Sequence, residues 1–138
     1  MIRRTLEVKT PPARAFEAWT RDIHLWWPPG HTAHQGRVVL TPEQFVEQWD
    51  GGERSLGRVV DWSPPARLVY DFYLGSSPQQ PTRVSIHFTA VSTGTRVDIE
   101  HVAHAVPPEE FARTAVGFLA AWPHVESAYA AFIHPEHP

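Results

Sequence analysis

The spacing of apolar residues changes period along this chain, and that constrains its fold more than any other feature. Ile2, Leu6 and Val8 alternate with polar residues and share their face with Arg4, a strand pattern. After Thr10-Pro11-Pro12, with Thr10 read as the N-cap, Phe16, Trp19, Thr20 and Ile23 fall at i, i+3, i+4, i+7, the face of a helix. Leu25-Trp26-Trp27 extends this run as a short second helical turn until Pro28-Pro29-Gly30 stops it. From Gly36 onward the period is two. Strands are predicted over 37–40, 45–49, 55–62, 68–74, 84–89 and 97–101, with turns at Thr41-Pro42, Asp50-Gly51-Gly52, Ser63-Pro64-Pro65 and Thr93-Gly94 and a polar loop over 75–81. Beyond Val106-Pro107-Pro108 the spacing is helical again, through Phe111, Ala115, Phe118, Trp122, Val125, Tyr129 and Phe132. Pro123 lies inside this last run and predicts a kink or a break.

Consecutive strands joined by short turns make an antiparallel sheet. Each has one apolar face, so one side of the sheet needs a cover, and only the C-terminal helix is long enough to supply it. The expected architecture is α+β: a curved seven-stranded antiparallel sheet wrapped around a long C-terminal helix, with two short helices between strands 1 and 2. At 138 residues the chain reads as one domain, 1–138.

Composition removes several functions. With no cysteine, disulfides, thiolate nucleophiles and cysteine metal sites are excluded. Net charge is −3, and eleven arginines and one lysine are scattered among acids, which argues against a nucleic-acid partner. The longest apolar stretch, 115–122, is far short of the ~20 residues that span a bilayer. No secretory pattern opens the chain, so a cytoplasmic protein, monomer or homodimer, is expected.

Several segments carry a family likeness. They are Val8-x-x-Pro11-Pro12-x-x-Ala15-Phe16-x-Ala18-Trp19-Thr20, Trp26-Trp27-Pro28, Phe45-Val46-Glu47-Gln48-Trp49-Asp50-x-Gly52, Gly57-Arg58-Val59, Trp62-x-Pro64-Pro65-x-Arg67-Leu68-Val69, and Gly94-Thr95-Arg96-Val97 with Glu100-His101. From about residue 5 to residue 132, the chain resembles the START-like helix-grip (SRPBCC) superfamily. Within it, the chain is similar to bacterial homologues of the heat-shock-protein ATPase activator. The resemblance implies the helix-grip fold and a cavity between sheet and helix. It does not choose a function, because the fold hosts lipid carriers, polyketide cyclases, hormone receptors and co-chaperone domains.

The chemistry of the chain is sparse. No Gly-x-Ser-x-Gly elbow or phosphate-binding glycine loop occurs. His31-x-x-His34 and His101-x-x-His104 lack a third ligand nearby, and His134 and His137 sit in a tail read as frayed, so no metal and no cofactor are expected. Glu47, between Phe45 and Trp49, and His101, beside Val97 and Ile99, are polar groups on faces that read as inward. Register decides whether Arg4 and Arg58 join them. Trp26, Phe45, Trp49, Tyr70, Phe72 and Phe88 supply rings. Together with Glu47 and His101 they form the expected ligand-binding set, with Trp26-Trp27-Pro28 near the mouth. The first expectation is therefore a carrier or sensor binding a small hydrophobic or aromatic molecule, with no catalytic residue. The alternative is a polyketide cyclase- or hydro-lyase-like enzyme using Glu47 or His101 as general acid/base. A second alternative is a chaperone-associated protein-binding module. As a pocket group, Glu47 is expected to tolerate replacement by glutamine at a cost below about 1.5 kcal/mol.

Overall fold

The computed structural model describes residues 1–31 and 34–134; of the expected frayed tail, 134–138, residues 135–138 lie outside the described residues, while His134 caps the C-terminal helix and accepts the Lys9 amide at Nε2, 2.8 Å away. The elements follow the predicted order. Strand β1 (Ile2–Val8) leads to helix α1 (Pro12–Trp19) and two 3-10 turns, Ile23–Leu25 and Pro29–His31. Strands β2 (Arg37–Leu40), β3 (Gln44–Trp49), β4 (Gly52–Ser63), β5 (Arg67–Phe72), β6 (Thr82–Val91) and β7 (Gly94–Val102) follow, then helix α2 (Pro108–Ile133). All neighbours pair antiparallel, in the order β1-β7-β6-β5-β4-β3-β2, so the first strand closes on the last.

The period-two faces fall as predicted. Val84, Ile86 and Phe88 of β6 lie opposite His101, Ile99 and Val97 of β7, and all six are buried. Between them, the outward Ser85 and His87 face Glu100 and Asp98. Across β3–β5 the register shifts at Phe45/Val46 and again between Val59 and Asp61. Such bulges bend and twist the bulged strand. Gly57 sits at the first bend: a Cβ there would lie 2.2 Å from the Asp71 carbonyl oxygen of β5.

Helix α2 occupies the concave side, and its buried residues are Phe111, Phe118, Trp122, Val125 and Tyr129. Ala115 and Phe132 are half-covered against the same core. It begins at Pro108, where proline loses no hydrogen bond, with Glu109 and Glu110 favourably placed in the first turn. Of the kink or break expected at Pro123, the break does not occur; the helix runs through it. The acceptor that Pro123 leaves unused is the carbonyl of Leu119, a residue 53 % exposed, so water can take the missing bond. Thr10 is not the N-cap of α1; Pro11 is. Thr10 instead accepts the Thr95 hydroxyl at its carbonyl, 2.7 Å away.

Two side chains left open by register are now fixed. Arg4 points inward and grips Glu126 of α2 with Nε at 2.6 Å and Nη2 at 3.1 Å. Arg58 points outward, and with Arg83 it covers the Asp71 carboxylate. Among the described residues no helix is long and apolar enough to cross a membrane.

Candidate functional site

Where the curled strands β4 and β5 diverge from α2, a cavity of about 690 Å³ remains, open to solvent on one side. This is within the range of small-molecule sites, ~300–1,000 Å³. One wall is helical. Arg113, Gly117 and Ala121 recur four residues apart, and Phe118, Trp122 and Val125 continue the same face. The opposite wall is Phe72 of β5 and Arg54 of β4, with Leu74 and Gly75 from the following loop. Trp27, Gly30 and His31, around the second 3-10 turn, close the end.

Two glycines set its volume. A Cβ placed on Gly117 or on Gly30 meets nothing within 4 Å. Glycine inside a helix costs roughly 0.5–1 kcal/mol relative to alanine. No close backbone approach requires it at Gly117, so its consequence is open space in the cavity.

Of the expected ligand-binding residues, Phe72 lines this cavity. The others stand behind its walls or away from it. Phe45 is fully buried and packs edge-on against Trp27 and Tyr70. Trp26 is locked between Trp19 and Tyr129 and donates its indole N–H to the Ala18 carbonyl at 2.7 Å, so Trp27, and not Trp26, stands at the mouth. Phe88 packs on Phe16, away from the cavity. Trp49 stacks on the His34 ring at 3.8 Å.

Glu47 is fully buried and faces the segment before β2. Gln35 is left-handed there, at φ 51°, and both flanking amides, His34 N and Gly36 N, reach the same Glu47 oxygen, Oε2, at 3.1 and 2.8 Å. Arg54 Nε donates to the other oxygen at 3.2 Å. Burial alone would raise the Glu47 pKa, but the Gly36 and His34 amides and Arg54 together hold it below the ordinary value. This carboxylate is an anchor for a loop.

His101 lies beneath the cavity floor, its ring 4.2 Å from that of Phe118. The Trp122 indole N–H donates to Nδ1 at 3.1 Å, which fixes the proton on Nε2, 2.8 Å from the Thr82 hydroxyl. Burial, with help from the N-terminal ammonium, lowers its pKa to about 4. Both nitrogens are engaged, so neither is free to exchange a proton with a molecule in the cavity.

Tyr70 is fully buried; its hydroxyl faces the Trp19 indole N–H outside good hydrogen-bond geometry, and neither atom has another partner among the described residues. A buried hydroxyl without a partner carries a desolvation penalty of about 1–3 kcal/mol. Tyr70→Phe is therefore expected to be neutral or to stabilise by up to about 1 kcal/mol in chemical denaturation. A loss above about 2 kcal/mol would show a bonded hydroxyl.

The polar groups that do reach the cavity are Arg54, Arg113, His31 and Thr114; the Trp27 ring lines it too, with its N–H buried in the wall and without a partner among the described residues. The His31 pKa is lowered by burial and then by His124, whose ring lies 6.0 Å away on α2. Sequence reasoning missed the helical stripe because its signal is a glycine inside an apolar helix, with an arginine one turn before it on the same face. The two His-x-x-His pairs are each split. His31 turns to His124 and His34 to Trp49, while His101 points inward and His104 lies beside Asp71.

Comparison with known proteins agrees with this architecture. The family model described as Activator of Hsp90 ATPase homolog 1-like protein matches residues 9–130. Among solved structures, protein MLL2253 from Mesorhizobium loti superposes with a TM-score of 0.74 at 18 % identity, covering 99 % of this chain and 98 % of that one. DynU16, assigned to the dynemicin biosynthetic locus, gives 0.67 at 19 % identity, covering 96 % of this chain and 46 % of its own. CalU16 from Micromonospora echinospora gives 0.56 at 17 % identity, covering 93 % and 73 %. No curated protein matches the sequence significantly.

Proposed function

Since the chain belongs to the Activator of Hsp90 ATPase homolog 1-like family, we propose that it acts through its cavity, binding a small hydrophobic or aromatic molecule between sheet and α2 as a carrier or sensor. The observation that carries this reading is the space at Gly117. A helix-weakening residue sits where a side chain would meet no protein atom and would only fill the cavity. Apolar surface from Trp27, Phe72, Phe118 and Trp122 lines that space, and its burial against a ligand supplies roughly 25 cal/mol per Å².

The enzymatic alternative needs a proton-exchanging atom in the cavity. Glu47 and His101, the two groups on which that alternative rests, instead commit their polar atoms to partners behind its walls, and His31 is the titratable group that lines the cavity. The protein-docking alternative needs a large exposed apolar patch. Val116 and Leu119 on the outer side of α2 are exposed, but isolated surface apolar residues are ordinary.

The test uses N-phenyl-1-naphthylamine, a neutral aromatic probe whose fluorescence rises in apolar surroundings. Saturable binding at one site is expected, weakened roughly tenfold or more in Gly117→Leu, which fills the cavity. Circular dichroism on the same variant checks that it is folded. Absence of saturable binding, or equal binding by folded Gly117→Leu, would overturn the proposal.

A further inference from the structure

The charges around the cavity are one-sided. Arg54 and Arg113 line it, and no carboxylate does. Arg54 is half-neutralised: Glu47 holds its Nε from behind the wall, and its two terminal nitrogens have no hydrogen-bond partner among the described residues. Arg113 has no ion pair or hydrogen bond to any described residue. It stands one turn before Gly117 on the cavity face of α2. Among the described residues nine of the eleven arginines pair with an acid, so an arginine left bare beside an apolar hollow is exceptional there. Among the described residues both formal charges at this space are positive, and the other polar side chains there are the His31 imidazole and the Thr114 hydroxyl, which bonds its own helix.

An apolar cleft lined by unpaired donors selects against a purely hydrocarbon ligand, which would cover those donors without bonding them. It favours a molecule with acceptors and negative charge. A planar oxyanion matches a guanidinium fork, which can donate two parallel hydrogen bonds to it. We propose that the ligand is an amphipathic organic anion: a flat apolar body against Phe72, Phe118 and Trp122, with a carboxylate-type group held at Arg113 and supported by the free side of Arg54. This rests on the cavity being a ligand site and adds the chemical class of what enters it.

The experiment compares two isosteric competitors, 2-naphthoate and 2-naphthamide, displacing N-phenyl-1-naphthylamine from the full-length protein. The carboxylate is expected to displace the probe at roughly tenfold lower concentration than the amide in low salt, with the advantage shrinking as ionic strength rises. In Arg113→Met, which keeps the aliphatic stem and removes the charge, the ratio is expected to fall towards one. Arg113→Lys should restore part of it. Arg113 has no partner among the described residues, so the variant's melting curve should follow the wild type and show that folding is not the cause. If the probe itself does not bind, the binding reading above falls and this inference with it. If the probe binds but the two competitors are equal, or the ratio survives Arg113→Met, the cavity stands as an apolar site and the anion inference is overturned.

Discussion

Glu47→Ala is expected to destabilise the fold by about 3 kcal/mol, among the largest effects of any single polar substitution here. The buried carboxylate accepts two backbone amides, His34 N and Gly36 N, and the Arg54 guanidinium. Hydrogen bonds to a charged group each contribute about 1.5–3 kcal/mol, and a buried amide left without an acceptor adds its desolvation penalty. The partial exposure of Arg54, 37 %, lets that cation turn to water and keeps the total below the sum. Gly36 lies so close to the backbone of β3 that a Cβ there would meet the Gln48 carbonyl oxygen at 2.3 Å. Glu47→Gln retains one acceptor oxygen for the two amides but turns an NH2 group on Arg54. It is therefore expected to cost about 2–3 kcal/mol, above the bound of about 1.5 kcal/mol that the sequence pattern suggests. Urea denaturation of the two variants at pH 7 measures both. A cost below about 1 kcal/mol for Glu47→Ala would mean that the three contacts contribute little. The loop Glu47 anchors leads back to Gly30 and His31 at the cavity, so both variants should also weaken probe binding.

Acid is expected to weaken the protein through His101. In the unfolded chain this imidazole takes a proton near pH 6.5; in the folded protein burial lowers that value to about 4. Above pH 6.5 both states are neutral and His101 contributes no pH dependence. As pH falls below 6.5 the unfolded state binds the proton and the folded state does not, so stability is lost with a slope of about 1.4 kcal/mol per pH unit. The loss levels off below about pH 4, at a total of about 3 kcal/mol. Most of it arrives above pH 4.5. The contribution of Glu47, whose folded-state pKa is lowered, is present above its ordinary value of 4.5 and lost only as pH falls through that lower folded value. His101→Gln can accept from the Trp122 indole and donate to Thr82 without titrating. Unfolding free energies from pH 7 to pH 4.5 should fall more steeply in the wild type than in this variant, with the difference approaching 3 kcal/mol. Parallel profiles would show that His101 is protonated in the folded protein.

What the sequence by itself determined is the set of elements and the faces they bury. Alternation in Val84, Ile86 and Phe88, helical spacing from Phe111 to Phe132, and proline and glycine at the joints are local signals, and local geometry answers them directly. The inward orientation of Glu47 and His101 follows from the same alternation. Only the tertiary structure decided what those inward groups meet. Phe45, Tyr70 and His101 share the inward side with Phe72, yet the diverging of α2 from β4 and β5 leaves Phe72 on the cavity surface and the others beneath it. Arg4 and Arg58 received opposite sides from strand register. The cavity wall is assembled from Trp27, Arg54, Phe72 and Arg113, which are far apart in the chain. Alternation says which side of a sheet a residue faces. It carries no information on how far away the opposing layer lies, and that gap, set by two bulges and by a glycine on α2, separates a core residue from one that can touch a ligand.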